Sequence, residues 1–199
     1  MHALAKKLLR DLWGMRGQAL AIIVVIVSGV ATFVAALGTM NALQQSQQSF
    51  YEGARFGEAF AQLKRAPQGV ERRLESVAGV DAVQTRTVAD ARLDVAGFDE
   101  PITGQLISLP EQGQPVLNRL VVREGRLPRP GGAAEAVASE AFAEAHDLHP
   151  GDEVAAIING RRRSLTLTGV VLSPEYVYQI QPGGFFPSPE RFGVLWMPR

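Results

Sequence analysis

The sequence predicts an α+β fold: one N-terminal transmembrane helix followed by a mixed α/β domain with a β-rich subdomain. Three observations predict it. Residues 19–40 of the 199-residue chain carry no charge, and Ser28, Thr32 and Thr39 are their only polar members. Beyond residue 50, short runs that alternate apolar and polar residues recur between Gly and Pro positions, as half-buried strands require. Among them lie two helix-like stretches, VERRLESV (residues 70–77) and EAFAEAHDL (residues 140–148). That mixture suits helices laid on one face of a sheet.

Residues 19–40 make roughly 33 Å of helix at about 1.5 Å per residue, enough to cross a hydrocarbon core about 30 Å thick. The run exceeds the roughly 7 to 15 residues of a signal-peptide core. Ala36-Leu37-Gly38 fits a small-x-small cleavage site, so a removable signal is the alternative reading. Lys6, Lys7, Arg10 and Arg16 precede the run against Asp11 alone, and the chain has zero formal charge overall. Positive residues favour the cytoplasmic side, so residues 1–18 are expected in the cytoplasm and everything after the span outside, in the inner membrane of a bacterial cell. Leu4, Leu8, Leu9, Leu12 and Trp13 fall at helical spacing. They predict a short amphipathic helix on the inner leaflet, with Trp13 at headgroup depth.

Residues 41–54 begin polar and uncharged (NALQQSQQS), and are expected to continue the span as a stalk. Residues 55–199 then form the domain, in an α+β part (about 55–124), a β-rich part (about 125–180) and a return strand (about 190–197). Residues 55–64 (RFGEAFAQLK) read as a strand ended at Ala66-Pro67, and residues 70–77 as a helix stopped by Gly79. Alternation from 80 to 95, the turn Ala96-Gly97-Phe98-Asp99 and ITGQLISL predict a hairpin. After the Pro/Gly-rich loop at 125–133 come a short strand at 135–138 and a helix with Ser139 as N-cap. His149-Pro150-Gly151-Asp152 makes a turn, and Asn159-Gly160 between EVAAIIN and RRRSLTLTGVVL fits a type I′ hairpin. YVYQI and FGVLWM read as core strands flanking a loop at 181–190.

The balanced charge gives no electrostatic case for nucleic acid. With no cysteine, disulfides, Cys-ligated metals and thiol catalysis are excluded, while an exported location is not. No P-loop, HExxH, GxSxG or dinucleotide fingerprint occurs, so no catalytic residue, metal or cofactor is expected. His146 and His149, with Glu144, Asp147 and Asp152, form a candidate metal cluster. The favoured alternative is a helix end followed by a turn, because no further ligand is identifiable. Arg161-Arg162-Arg163 reads as a solvated hairpin, since neighbours in a strand alternate faces. Asp90/Asp94 and Asp99/Glu100 read as surface and turn residues. In the aromatic C-terminal stretch, Tyr178, Phe185 and Phe186 are the candidates for a contact loop. In the span, Ser28, Thr32 and Ala36, with Ala31 and Ala35 beside them, form a small-residue face suited to close approach of another helix.

The order of segments then resembles a known family. A basic amphipathic N-terminus and one span are followed by FGEAFAQLKRAP, ITGQLISLP, LNRLVVREGRLP, SEAFAEAHDLHPGDEV, IINGRRRSLTLTGVVLSPEYVYQI and RFGVLWM. Together they resemble the N-terminal part of an ABC-transporter permease of the MacB/FtsX type, with its MacB-like periplasmic core domain. The resemblance implies a non-catalytic membrane subunit that transmits the motion of a separate ATP-binding subunit to an extracytoplasmic domain, for lipid, lipoprotein or peptide. It implies further permease transmembrane helices or a second permease copy as partners, besides the membrane. Those helices are expected in a continuation of the chain or on another polypeptide, because the sequence stops at Met197-Pro198-Arg199. A stand-alone single-pass binding protein is the alternative, and an exported enzyme with an unrecognised polar site is a third.

Overall fold

The computed structural model describes residues 2–198 except 66, 68, 112, 133 and 159, and the side chains of residues 2–5, 9 and 12 also lie outside the description. The chain divides into two units, residues 1–49 and residues 50–199.

The first unit is helical. Helix α1 (His2–Gly14) and helix α2 (Arg16–Gly53) are separated at Met15. Leu8 and Trp13 of the expected apolar stripe are exposed, whereas Leu4, Leu9 and Leu12 fall outside the described side chains. Helix α2 contains the only candidate span among the described residues, with a mean hydropathy of 2.8 in its apolar window. Its 38 residues include no buried one, so the whole apolar surface is open to lipid or to other helices. The polar segment after residue 40 continues the helix to Gly53, as a stalk requires.

The second unit is one mixed sheet. Helix α3 (Gly69–Glu75) precedes strand β1 (Val88–Asp94), which pairs antiparallel with β2 (Ile102–Leu109) across the turn at Gly97. There follow β3 (Val121–Gly125), β4 (Glu135–Ser139), helix α4 (Glu140–Ala145), β5 (Glu153–Ile158), β6 (Arg161–Leu172) and β7 (Phe192–Pro198). The strand order is β3-β6-β4-β7-β2-β1-β5, and β5 pairs again with β6. Six strands therefore close into a ring, which removes their free edges. Strand β6 is long enough to close it: residues 161–166 pair with β5, residues 169–172 pair with β3, and β4 lies along the other edge. The pairs β2–β7 and β4–β6 are parallel. Strands from both sides of residue 125 thus share one sheet.

Alternation along the strands supplies two apolar layers. Leu93, Leu106, Ala136, Ala138, Leu165, Leu167 and Leu195 form one with Phe142 of α4; Ile107, Val137, Val171, Val194 and Trp196 form the other. Gly104 and Gly193 lie opposite each other in the parallel β2–β7 pair. A Cβ on Gly193 would stand 2.8 Å from Leu93 and 2.9 Å from Phe142, so two absent side chains make room for two large ones.

Four expected elements differ. Residues 55–64 form no strand: Phe56, Phe60 and Leu63 stay exposed, and among the described residues no strand pairs with them. Strand β1 begins only at Val88, where its pairing with Ile107 of β2 begins. YVYQI makes one isolated bridge, Ile180 to Pro187, and joins none of the seven strands. Ser139 holds the N-cap position, yet its hydroxyl makes no cap bond and lies buried without a partner among the described residues. Helix α4 ends at Ala145, three residues short of the expected end, where Asp147 turns to φ +52°. The β5–β6 hairpin closes as expected, with Ile158 opposite Arg161 and Gly160 at φ +76°; Asn159 lies outside the described residues.

Candidate functional site

The small-residue face of α2 is built by the sequence alone. At four-residue spacing, each turn of helix returns a small side chain to nearly the same side. Ser28, Thr32 and Ala36, with Ala31 and Ala35, are all exposed. The Ser28 hydroxyl donates to the Val25 carbonyl at 2.9 Å, and the Thr32 hydroxyl to the Ser28 carbonyl at 2.8 Å. Both polar groups are thus satisfied within the helix, and the face offers close packing at no cost in unpaired donors.

The exit of α2 is held by residues that sequence reasoning missed. Asn118 adopts φ +52° in the segment before β3. Its N–H donates to the Arg55 carbonyl at 3.0 Å, and the Arg119 N–H donates to the Ala54 carbonyl at 2.7 Å. The Asn118 side-chain oxygen accepts from the Gly57 N–H at 2.9 Å. Asn118 is 9 % exposed and Ala54 2 %. The segment carrying Asn118 is itself held, since Gln84 accepts from the Leu117 N–H and Gln114 bonds both backbone groups of Leu120. Beside the exit the ring of Phe56 meets Tyr51 edge-on at 4.9 Å and lies tilted against Phe60 at 5.6 Å. The available signal was an Asn in Leu117-Asn118-Arg119, a residue that tolerates the left-handed region.

The loop between β6 and β7 has an anchored base and a bare tip. Arg86 grips Glu175 with two nitrogens, and the Tyr176 hydroxyl donates to Gln105 at 2.8 Å while its ring packs on Trp196. Burial, and then the Glu175 carboxylate, push Tyr176 up to about 12, so it remains a neutral donor. Gln181 donates to Thr103 at 3.1 Å. Beyond these anchors Tyr178, Phe185 and Phe186 are 77, 90 and 82 % exposed.

The polar candidates separate. His146 donates from Nε2 to the Glu190 carbonyl at 2.9 Å and lies edge-on to Phe98 and Phe142. His149 turns elsewhere, 3.5 Å from both Glu124 and Asp147. Its pKa is raised by the Glu124 hydrogen bond first, with Asp147 and Glu124 charges adding to it. Among the described residues, no three His, Asp or Glu side chains are grouped to hold a metal ion. Arg162 pairs with Asp94 at 2.8 Å and Arg191 with Glu100 at 2.5 Å. A 410 Å³ depression lies by Pro150 and Gly151. Beside it Glu135 accepts from Arg126 at 2.8 and 2.9 Å and from the Arg129 N–H at 2.8 Å. The Arg126 hydrogen bonds hold the Glu135 carboxyl down to about 2. Its role is to fix the loop after β3.

No family model matches the chain, and no curated protein does. Solved structures do match. The chain is similar to the periplasmic region of MacB from Actinobacillus actinomycetemcomitans, at 16 % identity and a TM-score of 0.38, over 68 % of this chain and 56 % of that one. It is also similar to the extracellular domain of the noncanonic ABC-type transporter YknZ from Gram-positive bacteria, at 19 % identity and a TM-score of 0.38, over 66 % and 61 %. The chain therefore spans less than two thirds of either structure.

Proposed function

We propose that this chain is the N-terminal portion of a non-catalytic membrane subunit of an ABC transporter of the MacB/FtsX type. In this reading the N-terminus is cytoplasmic, residues 19–40 cross the inner membrane and the sheet domain lies outside. A separate ATP-binding subunit drives motion from the cytoplasm, and the domain uses it to export or extract a lipid, lipoprotein or peptide. One observation carries the reading. The apolar run and its polar extension form a single helix, Arg16–Gly53, exposed along its apolar length as a span that packs on other membrane helices would be. The face of Ser28, Thr32, Ala36, Ala31 and Ala35 packs against further permease helices or a second permease copy, and Tyr178, Phe185 and Phe186 form the contact loop.

The exposed aromatic loop also supports a second reading, a single-pass binding protein that displays the domain without a motor. Chemical cross-linking in native membranes followed by affinity isolation separates the two. The transporter reading expects a P-loop ATPase and additional membrane spans with the chain, and ATP-dependent labelling of a cysteine placed at Phe185. Isolation of the chain alone, with labelling indifferent to ATP, would leave the display reading standing.

A further inference from the structure

The junction of α1 and α2 forms a notch of about 360 Å³ on the first unit. Leu8, Met15, Ala19 and Ile22 make its floor, and Lys7 and Asp11 line its α1 part. It is a concave apolar surface with a cation beside it, within a segment where Lys6, Lys7, Arg10 and Arg16 outnumber Asp11. The Met15 N–H still bonds the Asp11 carbonyl at 3.1 Å and the Ala19 N–H the Met15 carbonyl at 3.0 Å, so the notch lies on a hydrogen-bonded backbone that can keep its shape. Trp13 is exposed on the same helix, one to two turns along from Leu8. An apolar floor in a segment of net positive charge, with Lys7 on its lining, matches one kind of occupant, whose acyl chain meets the floor and whose phosphodiester meets Lys7.

We infer that the notch holds an anionic phospholipid of the cytoplasmic leaflet, fixing α1 at the membrane surface. This rests on the reading that residues 19–40 span the bilayer. The full chain is reconstituted in phosphatidylcholine vesicles containing dibrominated phosphatidylglycerol or, at the same fraction, dibrominated phosphatidylcholine. Trp13 quenching is obtained by difference from Trp13→Phe, since Trp196 is the only other tryptophan. The anionic lipid is expected to quench Trp13 preferentially. Lys7→Gln should reduce that preference about fivefold, the effect of one charge near an anionic surface. Asp11→Asn should raise it, and Ala19→Phe, which fills the notch without altering charge, should lower it. Equal quenching by the two lipids from a chain that resists alkaline extraction would overturn the lipid site alone. So would an Ala19→Phe variant that keeps the full preference, or an Asp11→Asn variant that loses it. A chain released by alkaline extraction would overturn the spanning reading as well.

Discussion

Asn118 is the residue whose replacement most sharply tests how the end of α2 is held. Asn118→Ala removes the acceptor for the Gly57 N–H, a buried group, at a cost of about 1–3 kcal/mol. It also puts alanine at φ +52°, for a further cost of about 1 kcal/mol. Together these come to about 3 kcal/mol, or more than a hundredfold in the equilibrium for opening the exit. Asn118→Gly relieves the backbone and leaves only the lost acceptor, about 2 kcal/mol, whereas Asn118→Asp retains an oxygen and should stay within about 0.5 kcal/mol. The assay is amide hydrogen exchange of the Asn118 and Arg119 N–H groups, which report the bonds to Arg55 and Ala54. Protection should fall in the order native, Asp, Gly, Ala. Equal protection in the Ala and Asp variants would refute the reasoning, because it would mean that the side-chain bond holds nothing.

Gly193→Ala forces a Cβ within 2.9 Å of Leu93 and Phe142, so urea denaturation should show a loss of about 1–3 kcal/mol. Glu135, held at about 2 against an ordinary 4.5, contributes stability that is present above pH 4.5 and disappears as pH falls through about 2. The denaturation midpoints of the native chain and Glu135→Gln should therefore differ most at pH 6 and converge on acidification. Phe185→Ser with Phe186→Ser should leave stability within about 0.5 kcal/mol, because both rings are exposed, while abolishing cross-links from this loop to an extracytoplasmic partner.

Local signals carried much of the fold. The Gly97 turn announced β1–β2, the Asn159-Gly160 pair announced β5–β6, and the long uncharged run announced α2. Closure of the sheet was not legible, since it depends on β1 meeting β5 and on β2 and β4 finding parallel partners far along the chain. Such pairings are set by tertiary packing that short-range periodicity does not encode. The same limit explains residues 55–64 and YVYQI, whose alternation suits a strand but which pair with none of the seven strands. At the candidate site, Phe185 and Phe186 were readable as aromatics in a Pro/Gly loop, whereas Tyr178 fell in a run that reads as a core strand; the structure leaves all three exposed. Asn118 was not readable, because its importance lies in a left-handed backbone and a bond to Gly57 across 61 positions.

Helix α2 is proposed to work among other membrane helices, and the absence of native cysteine allows a direct measurement. Single cysteines at Ser28, Thr32 and Ala36, and at Val30 and Val34 on the opposite side, are introduced into the full chain in its own membranes. Oxidative or short bifunctional cross-linking to a neighbouring helix is then scored by mobility and mass. Efficient cross-linking is expected at positions 28, 32 and 36 and little at 30 and 34. Uniform cross-linking around the helix, or none at any position, would contradict it and reduce α2 to an anchor.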